Sequence, residues 1–337
     1  MGEKGWKIGF ILRPFLATVS LVALVAPATG GNRSQAQPPT PKKGIFTISD
    51  NVDLVLLDVS VKNPHGGYAT GLKKENFAVF EDGQPRKITQ FASEDTPVTI
   101  GLIVDNSGSM RFKRPEVVVA GLAFAKQSNP LDEFFVVNFN NSVLRGLPDQ
   151  MLFTDNLQSL RAALYYGEPR GQTALYDAVA YALKHLEFSH RDKRTLVVVS
   201  DGGDNVSQID LHTLLKQIEA SRATVYTVGL YDPEDRSLSP GVLRKMSNIS
   251  GGEFFEPESI ANITPVFDKI SKDIRQRYTV GFVPDEIKDK RVLRSVKVVA
   301  REGDRKLLVR TRTSYINASS AALIAQENRQ PAATVRH

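Results

Sequence analysis

Cysteine is absent from all 337 residues, which excludes disulfides, thiolate metal sites, cysteine nucleophiles and a lipid-modified N-terminal cysteine. Histidine is scarce. His65, His185, His190, His212 and His337 stand at no metal-pair or nucleophile spacing, and surface positions are expected for them. Also missing are a Gly-x-x-x-x-Gly-Lys-[Ser/Thr] phosphate loop, a Gly-x-Ser-x-Gly elbow with an obvious base, and a Gly-x-Gly-x-x-Gly turn after the first strand of the α/β segment. Of the formal charge of +6, about half comes from Lys4, Lys7, Arg13 and Arg33 against Glu3. The remainder is too small to imply a nucleic-acid partner.

Long apolar runs are likewise lacking. The stretch from Phe15 to Ala26 follows Lys4, Lys7 and Arg13 but falls short of the ~20 residues that a membrane-spanning helix needs. Residues 1–36 therefore read as an export signal, with Ala26-Pro27-Ala28 and Ser34-Gln35-Ala36 as cleavage candidates; an uncleaved anchor is the alternative. Export without cysteine suits a bacterial protein that is periplasmic, cell-surface or secreted, with no stable membrane span after cleavage.

A Gln/Pro/Lys linker at about 37–44 leads into strand patterns over 45–95, with Val52 to Val61, Phe77 to Phe80 and Ile88 to Phe91 as strands. Between about 98 and 275, apolar strands alternate with helices. Strands are expected at Thr99–Val104, Phe134–Phe139, Thr195–Val199, Thr224–Leu230 and, more weakly, Glu253–Phe255. Helices are expected at Glu116–Gln127, Asn156–Leu164, Leu175–Leu186, Leu211–Ala220, Pro240–Ser247 and Ile260–Ile274, with Asp155 or Asn156, Thr173 and Ser239 as caps. This is the pattern of an α/β fold: a doubly wound, mostly parallel sheet with helices on both faces. Strand patterns return over 278–316, so the α/β segment is expected to be inserted in or flanked by a small β-sandwich-like domain built from both flanks. Residues 317–337 have no apolar period and read as a disordered tail.

The chemistry concentrates in Gly101-Leu102-Ile103-Val104-Asp105-Asn106-Ser107-Gly108-Ser109-Met110. An apolar strand there ends in a turn where alternate side chains Asp105, Ser107 and Ser109 can converge. A nucleophile, a phosphate cradle and an oxygen-rich site for a hard cation are all conceivable for such a turn. A second strand ends in Asp201-Gly202-Gly203-Asp204, and the loop Gly171-Gln172-Thr173-Ala174 offers another hydroxyl. In an open α/β sheet such loops gather at the carboxyl ends of the strands. Asp204 and Asn205 read as a solvated turn, Asp177 as a carboxylate favoured by a helix dipole, and Asn106, Met110 and Arg111 as exposed loop packing.

Asp105-x-Ser107-x-Ser109 with Thr173 and Asp201 resembles, in order and context, the metal-ion-dependent adhesion site of the von Willebrand factor A domain. The resemblance spans about 98–275, and the flanking strand blocks look like those of exported bacterial relatives. It implies that Ser107, Ser109 and Thr173 ligate a Mg2+, Mn2+ or Ca2+ ion, with Asp105 and Asp201 acting directly or through water. It further implies a binding or adhesion module, not an enzyme, whose protein partner offers an Asp or Glu carboxylate to the ion. An envelope scaffold that leaves the metal face idle and a Mg2+-dependent hydrolase are the alternatives.

Overall fold

The computed structural model describes residues 54–231, 240–284 and 293–317. The export signal, the linker, the Ser239 cap, His337 and the C-terminal tail lie outside the described residues. The strands are β1 (Val55–Lys62), β2 (Phe77–Glu81), β3 (Gln84–Arg86), β4 (Ile88–Ala92), β5 (Val98–Asp105), β6 (Glu133–Phe139), β7 (Val143–Arg145), β8 (Lys193–Ser200), β9 (Thr224–Gly229) and β10 (Phe254–Phe255), followed by β11 (Tyr278–Phe282), β12 (Leu293–Glu302), β13 (Arg305–Lys306), β14 (Leu308–Arg310) and β15 (Ser314–Ile316). The helices are α1 (Arg114–Gln127), α2 (Leu157–Tyr165), α3 (Leu175–His185), α4 (Leu211–Ala220), α5 (Pro240–Ser250) and α6 (Ile263–Arg275).

Six strands form one sheet in the order β10-β9-β8-β5-β6-β7, parallel except for β7, which runs antiparallel to β6. The central strand β5 is buried along its whole length, which is why its sequence is continuously apolar instead of alternating. Gly101 lets the neighbouring ring in: a Cβ there would stand 2.4 Å from Cζ of Phe135. Helices α1 and α6 pack together, as do α3, α4 and α5, and the doubly wound arrangement expected from the sequence is the one observed.

The chain leaves β5 for β6 on one side, while β8 docks on the other side of β5. Strand order therefore reverses at β5 and β8, and their carboxyl ends open a crevice of the kind in which α/β sheets bind ligands. Asp105 ends β5, and Asp201 follows the last residue of β8.

The flanking strands pair with one another across the α/β segment. Antiparallel β1 and β11 join Leu57 to Val280, and β2 and β12 join Val79 to Val298. The resulting sheets, β14-β1-β11-β4 and β13-β12-β2-β3 with β15 on β12, enclose a second hydrophobic core around Leu57, Val59, Val79, Tyr278, Phe282 and Val298. Among the described residues no helix is long and apolar enough to cross a membrane.

Candidate metal centre

Asp105 is fully buried. Its Oδ1 accepts the backbone N–H of Ser107 at 2.8 Å and its Oδ2 accepts the Ser200 hydroxyl at 2.6 Å, so the carboxylate is fixed before any ligand arrives. Burial pushes its pKa up to about 6; the Asp201 charge adds to this, while the hydrogen bonds from Ser107 and Ser200 oppose it. The Ser107 and Ser109 hydroxyls lie 3.1 Å apart, and Ser109 donates to Oδ2 of Asp201. Asp105, Ser107, Ser109 and Asp201 thus form one continuous cluster in which Ser109 is exposed and the other three are buried.

Thr173 reaches the same rim through its backbone. Its N–H donates to Oδ1 of Asn205 at 2.9 Å and its carbonyl accepts the Asn205 N–H at 3.1 Å, which clips the Thr173 loop to the Asp201 loop. On the other side Gly108 N–H donates to Gly171 O at 3.1 Å, clipping the same loop to the serine turn. The Thr173 hydroxyl, in a residue only 6 % exposed, makes no hydrogen bond to any described residue. Ala174, not Thr173, occupies the N-cap of α3, because the Thr173 backbone is committed to Asn205.

Several neighbours depart from the sequence expectation. Asn106 and Met110 are fully buried instead of forming an exposed loop; Arg111 alone of the three is exposed. Asp204 is no solvated turn residue, since its Oδ2 accepts the Tyr176 N–H at 2.9 Å and the Ser207 hydroxyl at 2.5 Å. Asp177 accepts the backbone N–H groups of Gln208 and Ile209, so it braces the loop before α4. His185 is buried between Phe135 and Phe153, and its Nε2 lies 2.9 Å from Leu152 O, a core position rather than a surface one.

Arg114 was not singled out by sequence, and it supports the turn from below. Buried at the start of α1, it donates to Oδ1 of Asn106, to Oδ1 of Asn138 and to Leu164 O. Its one sequence signal is an arginine inside an otherwise apolar helical face. Burial pulls its pKa down to about 10, with the Asp105 charge opposing. Ser200, the polar end of an apolar strand, and Asn205, which holds the Thr173 backbone, are further partners whose contacts the sequence did not single out.

The donor set suits a hard cation. The Ser107 and Ser109 hydroxyls and the Asp105 and Asp201 carboxylates share one cluster without histidine or cysteine, and among the described residues no lysine or arginine pairs with Asp105 or Asp201. Two neighbouring carboxylates in so dry a corner repel each other unless a positive charge joins them.

Residues 100–203 match the sequence profile of the family described as von Willebrand factor type A domain. No curated protein matches the chain. In fold the chain is similar to a conserved hypothetical protein BatB from Bacteroides thetaiotaomicron, at 18 % identity and TM-score 0.42 over 52 % of this chain and 97 % of that one. It is also similar to a von Willebrand factor type A protein from Catenulispora acidiphila, at 15 % identity and TM-score 0.48 over 79 % of this chain and 74 % of that one. A third is the vWF domain of the type V pili tip protein Mfa5 from Porphyromonas gingivalis, at 15 % identity and TM-score 0.45 over 53 % of this chain and 95 % of that one.

Proposed function

Because the chain contains a von Willebrand factor type A domain, with residues 100–203 matching its profile, we propose that it is an exported module that binds a protein partner through a divalent cation. Asp105, Ser107, Ser109, Thr173 and Asp201 hold the ion, Mg2+ being the first choice and Mn2+ or Ca2+ acceptable. The observation that carries this reading is the hydrogen-bonded run Asp105–Ser107–Ser109–Asp201 beside a clipped Thr173 loop, with two carboxylates that pair directly with no lysine or arginine among the described residues. A bound ion supplies an electrophilic centre that a carboxylate from outside can complete.

The chain's own residues prepare the face. Ser200 and the Ser107 N–H hold Asp105, and the Asn205 and Gly108 contacts hold the Thr173 loop. Just after the serine turn, Phe112 is 87 % exposed and follows the exposed Arg111, and Arg170, whose backbone N–H donates to Asn106 O, also faces solvent. An exposed ring next to cationic side chains suits an acidic segment with an apolar neighbour on a protein surface. A nucleophilic role for either serine has less support: among the described residues neither hydroxyl is bonded to an imidazole or amine.

The test is a pull-down from the organism's own envelope fraction. A partner is expected to be captured with Mg2+ or Mn2+, released by chelator and lost with Asp105→Ala. Phe112→Ala is expected to weaken capture while leaving the fold intact. Capture that ignores both chelator and Asp105→Ala overturns the reading.

A further inference from the structure

The opposite end of β8 carries a second concentration of charge. Lys193 opens that strand, seven residues from Ser200, so it lies about 23 Å from the strand's other end at the ~3.3 Å rise of a strand residue. It lines a cavity of about 400 Å3 between the α/β sheet and the flanking strands β1, β4 and β11. That volume is within the ~300–1,000 Å3 typical of small-molecule sites.

Lys193 is only 8 % exposed and makes neither a hydrogen bond nor an ion pair with any described residue. An ammonium in such a place is normally matched by a carboxylate. Arg191, Arg194 and Arg222 line the same cavity, against the carboxylates of Asp58 and Asp192. Arg194 spends Nε on Arg191 O and Nη2 on Ser189 O, leaving Nη1 free, and Arg222 has no partner at all among the described residues. A second cavity of about 610 Å3, between α3 and α4, shares Arg194 and Arg222. Burial lowers the pKa of Lys193, with the Asp58 and Asp95 charges opposing the fall and Arg275 and Arg277 adding to it.

We propose that the cavity at the foot of β8, with Lys193 at its base and Arg194 and Arg222 at its wall, binds a small oxyanion bearing phosphate or several carboxylates. Guanidinium forks and an ammonium are complementary to closely spaced anionic oxygens, and partial burial strengthens each contact relative to water. The ligand adds to the counter-charge that Asp58 and Asp192 bring to the cavity.

Calorimetric titration and thermal unfolding of the full chain, in the presence of a metal chelator and at matched ionic strength, test this with inorganic phosphate and citrate as probes. At least one probe is expected to bind saturably and to raise the unfolding midpoint; phosphate alone assigns a phosphoryl ligand and citrate alone a polycarboxylate. Lys193→Met is expected to raise the midpoint in anion-free buffer and to abolish the anion response. Arg222→Gln, at an exposed position without a partner among the described residues, is expected to keep the fold and weaken binding about tenfold. The proposal is overturned if neither anion gives a saturable response beyond that of chloride. It is equally overturned if Lys193→Met lowers the anion-free midpoint while Arg222→Gln binds as the parent does, since Lys193 is then a structural counter-ion.

Discussion

Asp105 and Asp201 bring like charges into a corner that water scarcely reaches, and each is fixed by hydroxyl or backbone donors rather than by a cationic side chain. Replacing Asp105 with Asn removes one of those charges while the amide oxygen can still accept the Ser107 N–H. Asp105→Asn is therefore expected to unfold at the same temperature as the parent or higher in chelator. A cation at a hundred times its dissociation constant stabilises a folded protein by about 2.7 kcal/mol, and the variant is expected to lose that gain. Parallel melting curves with EDTA and with MgCl2 check both halves of the expectation. Asp105 and Asp201 stood out in the sequence because one ends an apolar strand and the other follows one, which is where sequence periodicity breaks. Arg114, Ser200 and Asn205 did not, because the contacts that give them a purpose span 8, 95 and 32 residues.

Secondary structure followed the apolar runs closely where elements are long. The strands β5, β6, β8 and β9 were visible as continuous apolar stretches, and α4 has the bounds its period suggests. Short pieces escaped: β7, β13 and β15 have two or three residues each, too few to display any period. The loop before α3 is the element that most affects the rim. Gly171 has φ +78°, and a Cβ on it would stand 1.8 Å from Oδ1 of Asn141, the atom that accepts the Gln172 N–H. A non-glycine residue in that conformation costs about 1–2 kcal/mol. Gly171→Ala is accordingly expected to retain the fold, because the loop lies outside both cores, while displacing Thr173 and reducing cation affinity by about tenfold, the factor that ~1.4 kcal/mol represents. Calorimetric titration of the variant with Mg2+, next to its circular dichroism spectrum, measures affinity and fold separately.

Two hydrophobic cores share one polar joint. Ser60 on β1 and Tyr226 on β9 both donate to Asp273 on α6, each at 2.5 Å, and Arg277 bridges Asp273 at 2.9 Å and Gly251 O at 2.7 Å. Burial alone would raise the Asp273 carboxyl, but the Arg277 guanidinium and the hydrogen bonds from Ser60 and Tyr226 outweigh it and hold the pKa at about 2. The folded value lies below the ~3.9 of an unfolded Asp, so this stabilisation is complete above about pH 5 and is lost as pH falls through 4 towards 2. Asp273→Asn is expected to cost about 3 kcal/mol at pH 7 and to flatten the pH dependence between about 4 and 2. Urea unfolding at pH 7, 4 and 3 checks it; parallel slopes for parent and variant contradict it. Pairing of the two flanks was legible because strand patterns stop at one end of the α/β segment and resume at the other. The cavity at the foot of β8 was not, since its lining residues come from positions as far apart as Asp58 and Arg222. One bound cation is the centre of the proposed function, and titration calorimetry of the full chain with Mg2+ and Mn2+, repeated on Asp201→Ala, tests it directly. One equivalent of ion bound by the parent and none by the variant is the predicted result; no binding to the parent, or equal binding to both, contradicts it.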